Sequence, residues 1–153
     1  MSNTFTKIYL HIVFAVKNRE SLIPVTRQDE IHSYIAGTLK GLGHTPYKIG
    51  GTDTHIHIVL GYNIKQLIPD LVREIKKAST KFINESHMIP FKFNWQRGYG
   101  CFSASPSHLN QLCDYVEHQY EHHKNISFHD EMKRILDKYD IIFDESYIFD
   151  DEF

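Results

Sequence analysis

Residues 54–62, THIHIVLGY, constrain this chain more than any other segment. Ile56, Ile58 and Leu60 share one parity, and His55, His57 and Val59 the other. A period of two marks a β-strand, because successive side chains point to opposite faces of the sheet. The strand therefore has one aliphatic face for a core and two imidazoles side by side on the other. Residues i and i+2 on one face bring both rings within reach of one metal ion. Imidazole suits Mn, Zn, Fe, Co or Ni, and tolerates Mg when oxygen ligands complete the shell. The same spacing also describes two polar residues on the outer face of a half-buried strand. A closed structural zinc site is not expected, because no further Cys or His pair stands at ligand spacing.

Around this strand the pattern alternates between strand and helix. Residues 6–16 (TKIYLHIVFAV) are rich in Ile, Val, Tyr and Phe and read as a strand. Thr26 is placed to cap a helix over 26–42, with Ile31, Tyr34, Ile35 and Leu39 at helical spacing. A short strand over 45–49 and a turn at Gly50 and Gly51 lead into the histidine strand. A second helix is expected over 64–84, with Ile68, Leu71, Val72, Ile75 and Phe82 as its apolar stripe. Residues 91–95 and 100–104 read as two strands joined by a turn at Arg97 and Gly98. Ser105 and Pro106 would start a helix over 106–124, and Ser127 a last one to about 138. The order β-α-β-β-α-β implies an α+β fold: a ferredoxin-like, RRM-like split βαβ with an antiparallel sheet. Two helices would cover one sheet face, with a separate C-terminal helix bearing Tyr115. The other face, with His55 and His57, would be free for a site.

With 153 residues, 41% hydrophobic and 24% charged, the chain suits one domain over 1–153. No apolar run reads as a signal peptide or a membrane span, so a cytoplasmic protein is expected. Cys101 and Cys113 form no CxxC pair and read as structural thiols. A net charge of −2 alone argues against a nucleic-acid partner, but the charge is uneven. Between residues 65 and 97 there are seven basic residues against three acidic ones. Residues 129–153 carry nine acidic and three basic ones, so an acidic tail, about 139–153, masks a basic middle.

Three further segments carry chemistry. Tyr115 and Gln119 stand at i and i+4 on the tyrosine helix and project from nearly the same side. A tyrosine beside the apolar stripe of Leu109, Leu112, Val116 and Tyr120 is ordinarily a packing residue. As a nucleophile it would need a polarised target, because a phenol titrates near 10. In WQRGYGCFS (residues 95–103) the glycines permit a tight turn and the aromatics can pack or stack on bases. Arg97 at that turn is a candidate phosphate contact. His122 and His123 end the tyrosine helix and read first as favourable partners of its C-terminal dipole.

Taken together and in order, these segments resemble the one-tyrosine HUH transposases of single-strand insertion sequences, in the branch that includes those associated with repetitive extragenic palindromes. The resemblance covers IYLHIVFAVKNR (8–19), THIHIVL (54–60), FNWQRGYGCFS (93–103), YVEHQYEHH (115–123) and the closing 127–148. It implies a divalent cation, Mg2+ or Mn2+, held by His55, His57 and Gln119. It implies that Tyr115 attacks a scissile phosphate, leaving a 5′-phosphotyrosine and a free 3′-hydroxyl that later reseals. It also implies single-stranded DNA with hairpin ends as substrate, and a homodimer in which the tyrosine helix of one subunit can complete the histidine pair of the other. Lys17, Arg19, Lys76, Lys77 and Arg97 are candidate DNA contacts. Rival readings are a non-catalytic nucleic-acid-binding module, a domesticated enzyme that nicks and joins host palindromes, and a relaxase-type nickase.

Overall fold

Four strands rich in β-branched and aromatic residues pair into an antiparallel sheet: β1 (Tyr9–Ala15), β2 (Thr45–Gly51), β3 (His55–Gly61) and β4 (Gly100–Ala104), in the order β2-β3-β1-β4. The computed structural model describes residues 3–148, apart from the side chains of Arg19 and Tyr147. Helix α1 (Gln28–Gly41) links β1 to β2, and α2 (Ile68–Ser86) links β3 to β4. This is the split βαβ arrangement expected from the sequence. Ile31, Ile35 and Leu39 of α1 and Leu71, Val72, Ile75 and Ile83 of α2 pack on Leu10, Ile12, Phe14, Ile56, Ile58 and Leu60. The aliphatic parity of β3 thus meets both helices. No helix among the described residues is long and apolar enough to cross a membrane.

The second face of the sheet departs from expectation, because it is covered. It is crossed by α3 (Leu109–Glu117), the short α4 (Gln119–His122) and α5 (Phe128–Lys138). Val13 and Phe102 on this face form a small core with Met132 of α5 and Ile148, joined by Phe128, Ile135, Leu136 and Phe143. The face is not purely polar, and α5 has an apolar stripe that must be buried somewhere. The acidic tail, described only to residue 148, sets its own Ile148 and Phe143 on this face.

Three expected elements differ in detail. Residues 91–95 are not a strand; only Trp95 bridges to Val16. Side chains take much of that segment's backbone pairing: Phe93 N donates to Asn84 Oδ1 (2.8 Å) and Asn94 N to Ser21 Oγ (3.1 Å). Helix α1 begins at Gln28 after a 3-10 turn, Val25–Arg27, so Thr26 is not its cap. The helix expected over 106–124 is a 3-10 turn, Pro106–His108, followed by α3 and α4, broken at His118 (φ −104°, ψ 34°). Ser105 does not cap it; its Oγ meets His108 Nδ1 at 2.7 Å. Ser127 does cap α5, accepting from Asp130 N.

The WQ segment is packed. Trp95 meets Phe14 and Phe93 edge-on, and its Nε1 donates to Ser79 Oγ at 2.9 Å. Lys76 donates to the carbonyls of Gln96 (2.8 Å) and Gly98 (2.7 Å), tying the following turn to α2.

Candidate active site

The histidine parity of β3 faces α3, α4 and α5, and this packing assembles the site. The approach of α3 depends on a missing side chain. Gly50 lies opposite His57 in the β2–β3 ladder, and a Cβ there would stand 2.0 Å from the carbonyl oxygen of Val116. Backbone rests on backbone, so the next residue to Val116, Tyr115, reaches across the sheet to His57. Gly50→Ala must push α3 outward. We expect a stability loss of about 1–3 kcal/mol by denaturant titration, with any Tyr115-dependent activity falling more steeply than stability does.

Tyr115 stacks edge-on to His57 at 5.8 Å between ring centroids and to His122 at 5.2 Å. Its hydroxyl donates to Glu131 Oε2. The other carboxylate oxygen, Oε1, lies 3.1 Å from His57 Nε2, 3.6 Å from His55 Nε2 and 3.1 Å from His123 Nε2. Gln119 Oε1 lies 3.0 Å from His55 Nε2, and the kink at His118 turns Gln119 inward to make that contact. His55, His57 and Glu131 are 1%, 0% and 2% exposed. Tyr115, His55, His57 and Gln119, singled out in the sequence, therefore meet in one place. His122 and His123 join them, His122 Nε2 lying 3.4 Å from Glu131 Oε2, rather than serving only a helix end.

Glu131 was not singled out in the sequence. It sits on a helix rich in charge, where a glutamate is ordinarily a solvated residue. Its carboxylate meets His57, His123 and the Tyr115 phenol within hydrogen-bonding reach, with His55 at 3.6 Å and His122 at 3.4 Å beside them, and it has no lysine or arginine ion pair among the described residues. Burial pushes its carboxyl upward, but hydrogen bonds from His123 and His57 outweigh that and hold it well below the usual range. Burial, with His57 beside it, keeps the His55 pKa well below 6.5. Burial and then the adjacent Glu131 carboxylate raise the Tyr115 phenol far above its ordinary range.

His11, Thr52 and Thr54 were also missed, and they orient the pair. His11 Nε2 lies 2.7 Å from His57 Nδ1, and the hydroxyls of Thr54 (2.9 Å) and Thr52 (3.1 Å) meet His55 Nδ1. Both rings therefore present Nε2 inward. Burial, and then His57, lower the His11 pKa to about 3, which keeps it neutral. The signal in sequence was a lone histidine at the sheet-face parity of an otherwise apolar strand. Because His11→Phe removes the partner of His57 Nδ1, we expect divalent-cation affinity to fall about 10- to 100-fold in calorimetric titration.

These residues fit a divalent cation. The nitrogens of His55 and His57 and an oxygen of Glu131 lie within 4.8 Å of one another, as do ligand atoms of His122, His123 and Glu131. Neighbouring ligands around an ion with bonds of about 2.1 Å stand roughly 3 Å apart, close to the separations seen. Neutral imidazoles and an ionised carboxylate are the forms that bind metal. The Nε2 protons now donated to Gln119 and Glu131 can be given up, because hydroxyls and a neutral imidazole at Nδ1 accept as well as donate.

Of the candidate DNA contacts, Lys17, Lys76, Lys77 and Arg97 lie away from this group. Lys17 and Arg97 border a cleft of about 840 Å³ with Trp95 and Tyr99. Lys77 is exposed on α2, while Lys76 is committed to the carbonyls already named. The Arg19 side chain falls outside the described residues. Cys101 and Cys113 are free thiols, and burial raises both pKa values, to about 11 for Cys101.

Comparison with known proteins gives a consistent result. Residues 4–119 match the family model described as "Transposase IS200 like". A crystal structure of a Deinococcus radiodurans R1 protein assigned as a transposase is similar at 20% identity and a TM-score of 0.62, over 78% of this chain and 95% of that one. The structure of a REP-associated tyrosine transposase bound to a REP hairpin is similar at 16% identity and a TM-score of 0.55, over 76% of this chain and 68% of that one. At such identities the likeness is one of fold. No curated protein matches the sequence.

Proposed function

The chain belongs to the IS200-like transposase family, and from that premise we propose that it cleaves and rejoins single-stranded DNA at hairpins through a 5′-phosphotyrosine link at Tyr115. One observation carries this reading: a tyrosine hydroxyl and two histidine Nε2 atoms converge on the two oxygens of a single buried carboxylate. A nucleophile and a metal-ligating pair share one carboxylate, which packing alone does not require.

The cation, Mg2+ or Mn2+, would be held by His55, His57 and Gln119, with Glu131 as an added carboxylate. Bound there, it would polarise the scissile phosphate and offset charge developing on its oxygens. Tyr115 Oη attacks phosphorus, the bond to the 3′ oxygen breaks, and the tyrosine proton passes to Glu131 Oε2, which already accepts its hydrogen bond. Burial raises the phenol pKa, so an acceptor in contact matters more than spontaneous ionisation. The departing 3′ oxygen takes up that proton by way of water and leaves as a hydroxyl, so the carboxylate ends ionised, as it began. Resealing runs the same steps in reverse and conserves the energy of the phosphodiester, so no ATP is required.

A hairpin substrate is supported by the REP-associated relative, whose structure contains one. A homodimer with exchanged tyrosine helices remains part of this reading through family resemblance. Within one chain, however, α3 already brings Tyr115 to His57, which favours a site complete in cis before DNA binds.

The test uses purified protein, Mg2+ or Mn2+, and a labelled hairpin with a single-stranded flank. A denaturing gel should show a covalent protein–DNA band that chelator abolishes. No band with either cation, on hairpin or unstructured single strands, would overturn the reading.

A further inference from the structure

We propose that the cleft bounded by β4, α3 and α5 seats the single-stranded DNA flanking the scissile bond, with Arg134 and Lys138 taking its phosphates. This rests on the strand-cleavage reading above and adds where the strand lies. Lys17, Lys76, Lys77 and Arg97, named as candidate DNA contacts from sequence, are not among its lining residues.

Access comes first. His55 and His57 are closed off from solvent, so a phosphate must reach the group from the side of Tyr115, which is half-buried. A cleft of about 680 Å³ opens there, with Tyr115, Glu131, His122 and His11 among its walls. Its volume suits a few nucleotide-sized groups, not a duplex.

The chemistry of the walls is that of a single strand. On α5, Glu131, Arg134, Ile135 and Lys138 follow at i, i+3, i+4 and i+7, so one helical face lines the cleft. With a rise of 1.5 Å per residue, the two cations stand about 4.5 and 10.5 Å along the helix from the carboxylate. Both are exposed, and neither has an ion-pair partner among the described residues. Lys133, on another face of the same helix, is instead paired with Glu145 at 2.7 Å. Glu131 alone is acidic among the lining residues, and it is turned to the histidines and Tyr115. Leu112, Ile135 and Tyr139 give the cleft apolar and aromatic surface on which bases can stack. Tyr139 is fixed for this by its hydroxyl, which donates to Ser103 O at 2.5 Å, and Lys138 Nζ lies 5.8 Å from its ring centre. A charged track ending at a nucleophile, with aromatic surface along it, is the arrangement that single-strand binding requires.

The test compares fluorescence anisotropy of a hairpin with and without a single-stranded flank, for wild type and the Arg134→Ala/Lys138→Ala double variant. In wild type the flank should strengthen binding. In the double variant the flank's contribution should fall on the order of tenfold near 0.1 M salt, with affinity for the bare hairpin retained. The salt slope for flanked DNA should drop by about 1.4, as two lost single-strand phosphate contacts predict. Arg134→Lys/Lys138→Arg should restore the slope, and Lys133→Gln should not change it. A double variant with wild-type slope and flank affinity overturns the cleft assignment, as does a wild type that gains nothing from the flank. The covalent-band assay separates this from the wider reading. A band with wild type and an unaltered double variant sinks the cleft alone, whereas no band at all sinks the strand-cleavage reading beneath it.

Discussion

Tyr115→Phe is expected to abolish the covalent protein–DNA band, lowering cleavage by on the order of 10³-fold or more, while leaving divalent-cation affinity within about twofold of wild type. The substitution removes one oxygen. The ring contacts with His57 and His122 persist, so α3 should stay seated over Gly50 and the histidine pair should stay assembled. Only the candidate nucleophile and the donor to Glu131 Oε2 are lost. Calorimetry with Mn2+ and a denaturing gel read the two consequences separately. A persisting band would move the nucleophile elsewhere. Mixing Tyr115→Phe with His57→Ala then probes subunit exchange. Sites complete in cis give no band from the mixture, whereas recovered cleavage would require the tyrosine of one chain to serve the histidines of another.

His57→Ala should be nearly as damaging, for a different reason. It removes a candidate ligand, leaves Glu131 Oε1 with one strong donor fewer, and strands His11 in a buried position without its partner. Cation affinity should fall by at least about 100-fold, and cleavage with it. Glu131→Gln grades the effect. It preserves shape but removes the charge that four imidazoles surround, and it weakens the acceptor for Tyr115. We expect Mn2+ affinity to drop about 10- to 100-fold, and cleavage to drop further than affinity, because both oxygens are in use. If affinity and cleavage are unchanged in Glu131→Gln, the carboxylate is structural and the cation, if any, is held by His55, His57 and Gln119 alone.

What could be read from sequence followed from local repetition. The alternation in 54–62 set both faces of β3, and the stripes of α1 and α2 set the helices that cover its aliphatic side. Tyr115 and Gln119 share a side through helical spacing, which survives the kink at His118 because that kink turns Gln119 toward His55. Two errors had the same origin. Residues 91–95 have strand-like composition, yet the side chains of Asn84, at the end of the preceding helix, and Ser21, 73 residues away, take the Phe93 and Asn94 amides. The histidine face was read as open because nothing local to β3 shows that Val13 and Phe102 recruit α5 over it.

The sequence by itself thus determined the split βαβ sheet and four of the residues at its candidate centre, because periodicity of two or 3.6 is a property of neighbours along the chain. Only the tertiary structure decided that Glu131, His11, His122 and His123 belong with them. It also decided that His55 and His57 lie buried under helices rather than open on a free face. Glu131 is 74 residues from His57, and contacts at that separation are chosen by how whole elements bury their apolar faces. A solvated glutamate and a buried ligand look the same in sequence until the helix that carries them has been packed.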